Sequence, residues 1–317
     1  GVGRMTRQTK FLHRLASTCG AIFAATGLAM SAAAGASHAQ LADYSDLEAS
    51  PALWHMSDAD SDIYLFGTFH LLPPSLDWQT GELRAHLASA DSLYLEADVQ
   101  GEGAQARVQA LVVQLGLNPQ GVTLSSLLDA EAIALLASVA PSVGATPQML
   151  EPMRPWLAQI VLSVAQMQAL GLDPEAGVEK ALLTAIAGSD VEIGYFETAE
   201  QQVRVLADLP DEVQVRGFTE GLREMERTPA LLDDMVRAWA AGDVDAIDRI
   251  VNAEMREGAP EMYQALIVQR NHDWVPQIQE LLDGEGTVFV AVGAAHLSGE
   301  NGVVELLRDS GIIVERQ

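Results

Sequence analysis

The sequence predicts a mixed α/β fold, with a central sheet, G-x-x-H motifs at strand ends and a large helical insert. Short apolar runs near both ends of the chain have the length and composition of buried strands. Each run leads directly into a Gly-x-x-His sequence, at 67–70 and again at 293–296. The glycine of each motif is expected to let the chain turn sharply as it leaves the sheet. Between them, about 104–283, apolar residues recur at three- and four-residue spacing, which is typical of amphipathic helices.

The predicted strands are short apolar or alternating runs bounded by polar turns. In chain order they are 53–56, 63–66, 92–98, 191–197, 287–292 and 312–314. The first two flank the polar run 57–61, and this arrangement predicts a hairpin. The third and fourth each carry an acidic residue at their carboxyl end.

The predicted helices fill most of the remaining chain. They cover 80–90, 124–128, 130–139, 156–170, 176–187, much of 201–283, and 303–307. Pro174 is predicted at the first position of the helix over 176–187, where its missing N–H is not needed. Thr198-x-x-Gln201 is a capping box that opens the next helix.

The first 39 residues are typical of a secretory signal peptide. A basic stretch precedes the short apolar run 19–30, and Ser37-x-Ala39 fits a cleavage site. The apolar run is too short to cross a bilayer comfortably. We expect Met5 to be the start, residues 1–4 to be an upstream remnant, and the mature protein to be periplasmic or secreted without a membrane span.

The mature part, residues 40–317, is expected to be a single domain. Four of the 18 basic residues and none of the 44 acidic ones lie in the first 39 positions, so this part has a net charge of −30. Such a charge argues against binding nucleic acid or anionic lipid through a basic face. The single cysteine, Cys19, lies in the signal, which excludes thiolate catalysis and cysteine metal ligands from the mature chain.

Four side chains with acid–base or metal-binding chemistry lie at strand ends: His70, Glu96, Glu197 and His296. Open α/β sheets bind their ligands at the carboxyl ends of strands, so we expect these residues to come together. Imidazole and carboxylate suit zinc, manganese, cobalt or iron. His70, Glu96 and His296 would hold the metal, and Glu197 would act as general base. A lone histidine after a strand is more often only hydrogen-bonded, but the repeated motif favours a site.

A second group of candidates comes from the helical part. Arg270 is a planar donor suited to carboxylate recognition, so it would hold a substrate carboxylate or pair with Glu197. With Asn271 it would position the substrate or stabilise an oxyanion. A solvated helix charge is the alternative for Arg270. Asp173, after Gly171, is a further catalytic candidate, with a helix cap as its alternative.

Six segments, in this order, resemble the TraB/GumN family, which is related to the Tiki metalloproteases. They are Phe66-Gly67-Thr68-Phe69-His70, Leu93-Tyr94-Leu95-Glu96-Ala97-Asp98, Gly171-Leu172-Asp173, Phe196-Glu197-Thr198-Ala199-Glu200-Gln201-Gln202, Arg270-Asn271-x-x-Trp274 and Val292-Gly293-Ala294-Ala295-His296-Leu297-x-Gly299-x-x-Gly302. The resemblance covers roughly residues 50–315. Phe196, Gln201 and Ala295 stand where the family more often has Leu, Glu and Gly.

The resemblance implies an α/β fold of the kind shared with erythromycin esterase and the haem-binding ChaN proteins. It implies a metal-dependent hydrolase, a peptidase with manganese or cobalt, acting on a peptide or small-molecule substrate. Two alternatives stay open. One is a protein that binds haem or a peptide without catalysis, and the other is an esterase in which one histidine is the general base without a metal. All three need imidazoles and carboxylates at strand ends.

Overall fold

A computed structural model describes residues 43–101, 103–225 and 228–317. Its strands are β1 (Leu53–Ser57), β2 (Ser61–Thr68), β3 (Ser92–Ala97), β4 (Glu192–Glu197), β5 (Gly286–Gly293) and β6 (Glu315–Arg316). They form one six-stranded sheet in the order β4-β3-β5-β2-β1-β6. The predicted α/β fold class is confirmed, whereas the predicted signal peptide lies outside the described residues.

The four strands β4, β3, β5 and β2 run parallel, and β1 pairs antiparallel with both β2 and β6. The predicted hairpin of β1 and β2 is confirmed. Thr68 at the end of β2 lies opposite Gly293 at the end of β5, and Ala97 of β3 lies opposite Glu197 of β4. The carboxyl ends of all four parallel strands therefore meet at one edge of the sheet.

Both faces of the sheet are buried at its central strands β2 and β5, which explains why these two strands are mostly apolar. Successive side chains of a strand point to opposite faces. On β5, Val288, Val290 and Val292 pack into one apolar cluster, whereas Phe289 and Ala291 pack into the other. The strand β5 is therefore buried between the two clusters, with its carboxyl end at the edge of the sheet.

The α-helices are Gly81–Ala88, Ala104–Gly116, Leu124–Leu127, Ala130–Ser142, Pro147–Leu150, Pro155–Ala169, Val178–Ile186, Ala199–Ala207, Asp211–Glu224, Thr228–Ala240, Val244–Ile247, Glu254–Gly258, Pro260–Tyr263, Gln269–Leu282 and Val303–Asp309. Two 3₁₀ turns, Pro174–Ala176 and Ala294–Leu297, and two π-helical stretches, Asp248–Ala253 and Gln264–Val268, complete them. In the part of the chain described, no helix has both the length and the apolar character needed to cross a membrane.

The predicted capping box is present at the helix Ala199–Ala207. The Thr198 N–H donates to the Gln201 side chain at 2.7 Å, and the Gln201 N–H donates to the Thr198 hydroxyl at 3.1 Å. Two helix-end donors are thereby satisfied by side chains. The cap holds the helix start directly after β4, next to Glu197.

Two predicted boundaries were wrong. The last strand was predicted at 312–314, but only Glu315–Arg316 pairs with β1, because the Ile312 N–H donates to the Leu307 carbonyl and closes the preceding helix. Pro174 was predicted at the first position of an α-helix, but it begins a 3₁₀ turn. Gly177 then separates that turn from the helix Val178–Ile186.

Gly67 has a different role from the sharp turn that its motif suggests. Neither Gly67 nor Gly293 has a positive φ. A Cβ on Gly67 would lie 2.9 Å from the Ala294 Cα, closer than real Cβ contacts allow. The glycine therefore allows the chain leaving β5 to pass directly over the end of β2.

Candidate active site at the carboxyl edge of the sheet

The carboxyl edge of the four parallel strands brings the predicted strand-end residues to one region. His70 follows β2, Glu96 lies near the end of β3, Glu197 ends β4, and His296 follows β5. The helix Gln269–Leu282 adds Arg270 and Asn271 from outside the sheet. The expectation that ligand-type side chains meet at this edge agrees with the general rule for open α/β sheets.

Arg270 lies at the centre of this region and links both carboxylates. Its Nη2 donates to Glu96 Oε2 at 2.6 Å and to Glu197 Oε1 at 2.5 Å, and its Nε donates to Glu197 Oε2 at 3.1 Å. The side chains of all three residues are over 90% buried. The pairing of Arg270 with Glu197 was one of its two predicted functional roles, and the alternative of a solvated helix charge was wrong.

Two further donors complete the hydrogen bonding of Glu96. The Gly293 N–H donates to Glu96 Oε1 at 2.8 Å, and the Gln202 amide donates to Glu96 Oε2 at 2.8 Å and to Glu197 Oε1 at 3.0 Å. Burial raises the pKa of Glu96 above its ordinary value; the charge of Arg270 opposes this increase and that of Glu197 adds to it. Glu96 is therefore easier to protonate than an exposed glutamate.

His296 is fully buried and its orientation is set by Asn271. The His296 Nδ1 lies 2.6 Å from Asn271 Oδ1, so it donates there, and Nε2 then accepts from Arg270 Nη1 at 3.1 Å. The imidazole is therefore in its neutral form with the proton on Nδ1. The Trp274 ring packs against it at 4.4 Å between centroids. Asn271 thus orients a histidine, in addition to donating to the Asn301 carbonyl at 2.7 Å.

His70 belongs to a second buried pair beside this cluster. Its Nδ1 lies 2.8 Å from Glu179 Oε1, and the Thr68 hydroxyl donates to the same oxygen. Burial lowers the pKa of His70, but the charge and hydrogen bond of Glu179 outweigh burial, so that pKa is raised above its ordinary 6.5. Burial likewise opposes the ionisation of Glu179, yet His70 and Thr68 hold the pKa of Glu179 below its ordinary value.

A cavity of about 90 Å³ opens in front of His70. Three polar side chains of the site, Glu96, Glu179 and Gln202, line it together with His70. Lys180 adds a positive charge to the wall. The rest of the wall is mostly apolar and includes Leu71, Leu95, Ala97, Val99, Val164, Pro174, Leu183, Tyr195 and Ala291. Buried titratable groups that line a mostly apolar cavity are the usual features of an active or binding site.

Glu197 lies on the other side of the cluster, where a separate open cleft of about 420 Å³ is lined by Glu197, Thr198 and Tyr195. Tyr195 lines both openings and donates to Asp98 at 3.4 Å. Glu96 therefore borders the cavity of His70, whereas Glu197 borders the second cleft.

Asp173 lies at the start of the 3₁₀ turn, and its side chain accepts from the Glu175 N–H at 2.8 Å. This bond is the capping role that was the alternative for Asp173. The backbone of Asp173 also pairs with that of Leu72, at 2.9 and 3.4 Å. The Gly171-Leu172-Asp173 segment thereby holds the loop that follows His70.

Glu179 and Gln202 were not among the predicted site residues. Nothing in the local pattern distinguishes Glu179 from any acidic residue in the first turn of a helix. Gln202 had a weak signal, because it ends the segment Phe196–Gln202 that resembles the family. Both residues enter the site through contacts with residues far away along the chain.

The predicted metal ligands do not fit a divalent ion in this arrangement. Both oxygens of Glu96 and both ring nitrogens of His296 already accept from or donate to protein groups. A guanidinium, itself a cation, lies between Glu96, Glu197 and His296. Across residues 43–101, 103–225 and 228–317, no three His, Asp or Glu side chains are placed to hold a metal ion. Metal binding through His70, Glu96 and His296 therefore stays a prediction.

Comparison with known proteins agrees with the order of the motifs. The model of the TraB/PrgY/gumN family matches residues 52–316. The chain is similar to the protein YbaP of Escherichia coli (strain K12), with 25% identity over 258 residues that cover 81% of this chain and 92% of YbaP. It is also similar to an uncharacterized protein of Treponema pallidum (strain Nichols), with 23% identity over 270 residues that cover 80% and 79% of the two chains. No solved structure matches the chain.

Proposed function

Because this chain belongs to the TraB/PrgY/gumN family, we propose that it is an exported hydrolase of peptides or small acyl compounds, with its active site at the carboxyl edge of the sheet. The observation that carries the proposal is the buried His70–Glu179 pair beside a cavity that Glu96 also lines. A histidine that is oriented by a carboxylate is the usual arrangement for a general base.

In this proposal His70 activates water. Glu179 holds Nδ1, so Nε2 is the ring nitrogen that takes the proton from water. The resulting hydroxide attacks the substrate carbonyl, the bond to the leaving group breaks, and the proton passes to that group. Only the neutral imidazole can accept a proton, so activity rises as the pH increases through the raised pKa of His70.

In this proposal Glu96 and Arg270 assist proton transfer to the leaving group and stabilise charge. Burial raises the pKa of Glu96, which suits a carboxylate that takes the proton from His70 and passes it to the leaving group. Arg270 provides a fixed positive charge beside Glu96, in a region where buried charge acts more strongly than in water. Glu197, which was predicted as the general base, instead positions Arg270 through two hydrogen bonds.

The test is hydrolysis by the wild type, His70→Gln and His86→Gln on a panel of peptides and nitrophenyl esters. We expect His70→Gln to lower kcat/KM by about 10²-fold or more, since a positioned base contributes that much. His86 lies on the helix Gly81–Ala88, away from the cavity, so His86→Gln is the matched control and should keep full activity.

Each assay is run with a chelator and, separately, with added manganese, cobalt or zinc. Activity that survives chelation supports the proposal. Activity that appears only with added metal would replace it with the metal-dependent hydrolase that the resemblance implies. Equal activity of the wild type and His70→Gln would rule out the role of His70. A Soret band on haem addition, without hydrolysis of any substrate, would favour the binding-protein alternative.

A further inference from the structure

The guanidinium of Arg270, a cation, lies among three side chains of the kind that bind metal ions: Glu96, Glu197 and His296. Its Nη2 lies 2.6 Å from Glu96 Oε2 and 2.5 Å from Glu197 Oε1, and its Nη1 lies 3.1 Å from His296 Nε2. Carboxylate oxygen and imidazole nitrogen are both ligand types that zinc and other divalent ions accept. The guanidinium is thus enclosed by the groups that would otherwise bind a divalent ion.

We propose that Arg270 is the built-in cation of this family member, and that removing its side chain converts Glu96, Glu197 and His296 into a divalent-metal site. The set differs from the one predicted from sequence, because Glu197 takes the place of His70. This cation position is separate from the role of His70 in hydrolysis, and its test measures bound metal rather than activity.

The positions of the two carboxylate oxygens support the exchange. Oxygen ligands lie about 2.1 Å from zinc. The two carboxylate oxygens lie 2.5 and 2.6 Å from a single guanidinium nitrogen, so they need to move inward by only about half an ångström. His296 already presents the correct nitrogen, because Asn271 accepts the proton on Nδ1. Such a hydrogen bond to the second ring nitrogen is the usual way in which a metal-binding histidine is oriented.

The electrostatics of the cluster also favour a cation there. Glu96 and Glu197 carry two negative charges in a buried region, and Arg270 neutralises one of them. A divalent ion would neutralise both. Arginine keeps its charge at every physiological pH, so in the wild type the position is always filled. The Leu266 carbonyl, 3.3 Å from Nη1, and the Trp274 ring, 4.8 Å from the guanidinium carbon, hold the side chain in place.

The experiment measures metal content by mass spectrometry after loading with manganese, cobalt or zinc and dialysis. The variants are Arg270→Ala, the double variant Arg270→Ala/His296→Ala, and Arg237→Ala. Arg237 is the matched control, because it pairs with Asp233 on an exposed helix face. We expect about one metal ion per chain in Arg270→Ala and less than about 0.1 in the wild type and the other two variants, since losing one of three ligands removes most of the affinity.

The thermal midpoint provides a second measurement. Added metal should raise the midpoint of Arg270→Ala and leave that of the wild type unchanged, since an ion that binds only the folded state stabilises it. If Arg270→Ala folds only in metal-supplemented medium, that result also supports the proposal. The proposal is overturned if the wild type retains about one ion per chain, as a three-ligand site would. It is equally overturned if Arg270→Ala retains no more metal than the wild type, or fails to fold with and without metal.

Discussion

At the scale of single residues, the site consists of two neighbouring sets of charged side chains at the carboxyl edge of the sheet. Arg270 joins Glu96 and Glu197, and Glu179 holds His70. Both groups are buried, so each charge depends on its partner to offset the loss of hydration. Removing one partner should therefore lower the free energy of unfolding strongly, by an amount that depends on pH.

Glu179→Gln should destabilise the protein most between about pH 4.5 and 6.5, the ordinary pKa values of the two partners. The raised pKa of His70 gives stability that is fully present below 6.5 and is lost as the pH rises through the raised value. The lowered pKa of Glu179 gives stability that is present above 4.5 and is lost as the pH falls through the lowered value. Within this window we expect a loss of about 3 kcal/mol, as for a broken buried ion pair.

Chemical unfolding of the wild type and Glu179→Gln at several pH values measures this difference. The control is Lys180→Gln, because the ion pair of Lys180 with Glu175 is exposed and should contribute less than about 1 kcal/mol. A Glu179→Gln difference that stays the same from about pH 5 to pH 9 would contradict an ionised His70–Glu179 pair.

At the scale of elements, short irregular segments position the site residues. The π-helical stretch Gln264–Val268 directly precedes the helix that carries Arg270. The other, Asp248–Ala253, contains Asn252, whose amide donates to the Ala295 and Ser298 carbonyls at 2.9 and 3.2 Å. Asn252 thereby holds the 3₁₀ turn on which His296 lies. Such π-helical segments are frequent at functional sites.

Gly177 connects the segment after His70 with the helix that carries Glu179. A Cβ at Gly177 would lie 2.2 Å from the His70 carbonyl oxygen, while the next residue, Val178, donates its N–H to the Phe69 carbonyl at 2.9 Å. Backbone packs against backbone here, so there is no flexible side chain that can give way. The distance between His70 and Glu179 therefore depends on this glycine.

Gly177→Ala should lower the free energy of unfolding by about 1–3 kcal/mol, because the added methyl group overpacks the contact. It should also lower the hydrolytic activity, because His70 and Glu179 move apart. Gly81→Ala is the control: Gly81 has open space around its Cβ position, so the substitution should be neutral or slightly stabilising. If Gly177→Ala and Gly81→Ala changed the free energy of unfolding equally, the close approach at Gly177 would not contribute to stability.

At the scale of the whole molecule, the net charge of −26 at pH 7 is the dominant electrostatic feature. Like charges repel one another across the compact state and destabilise it. Salt screens this repulsion over a Debye length of about 10 Å at 0.1 M.

Raising sodium chloride from about 0.02 to 0.3 M at pH 7.5 should therefore raise the thermal midpoint by a few degrees. The increase should shrink near pH 5, because the sequence pI is about 4.4 and the net charge falls as the pH approaches it. Scanning calorimetry at both pH values measures the two shifts. A midpoint that falls with salt at pH 7.5 would mean that the ion pairs outweigh the general repulsion.

By itself the sequence determined the class of fold, the β1–β2 hairpin, the capping box at Thr198 and the strand-end positions of the candidate residues. These features follow from local patterns of apolar residues, turns and caps, which act over a few positions. Glycine was the exception, since the motif suggested a turn at Gly67 and the structure instead has a close approach to Ala294.

Only the tertiary structure decided which groups meet. Arg270 and Glu96 are 174 positions apart, and Thr68 and Glu179 are 111 apart. No local pattern encodes such pairs, because they depend on parallel strand pairing and on helices that return to the carboxyl edge of the sheet. For the same reason, the residue types alone predicted metal ligands. The fold instead places the Arg270 guanidinium among Glu96, Glu197 and His296. It also gives His70 a carboxylate partner, Glu179, that the sequence did not predict.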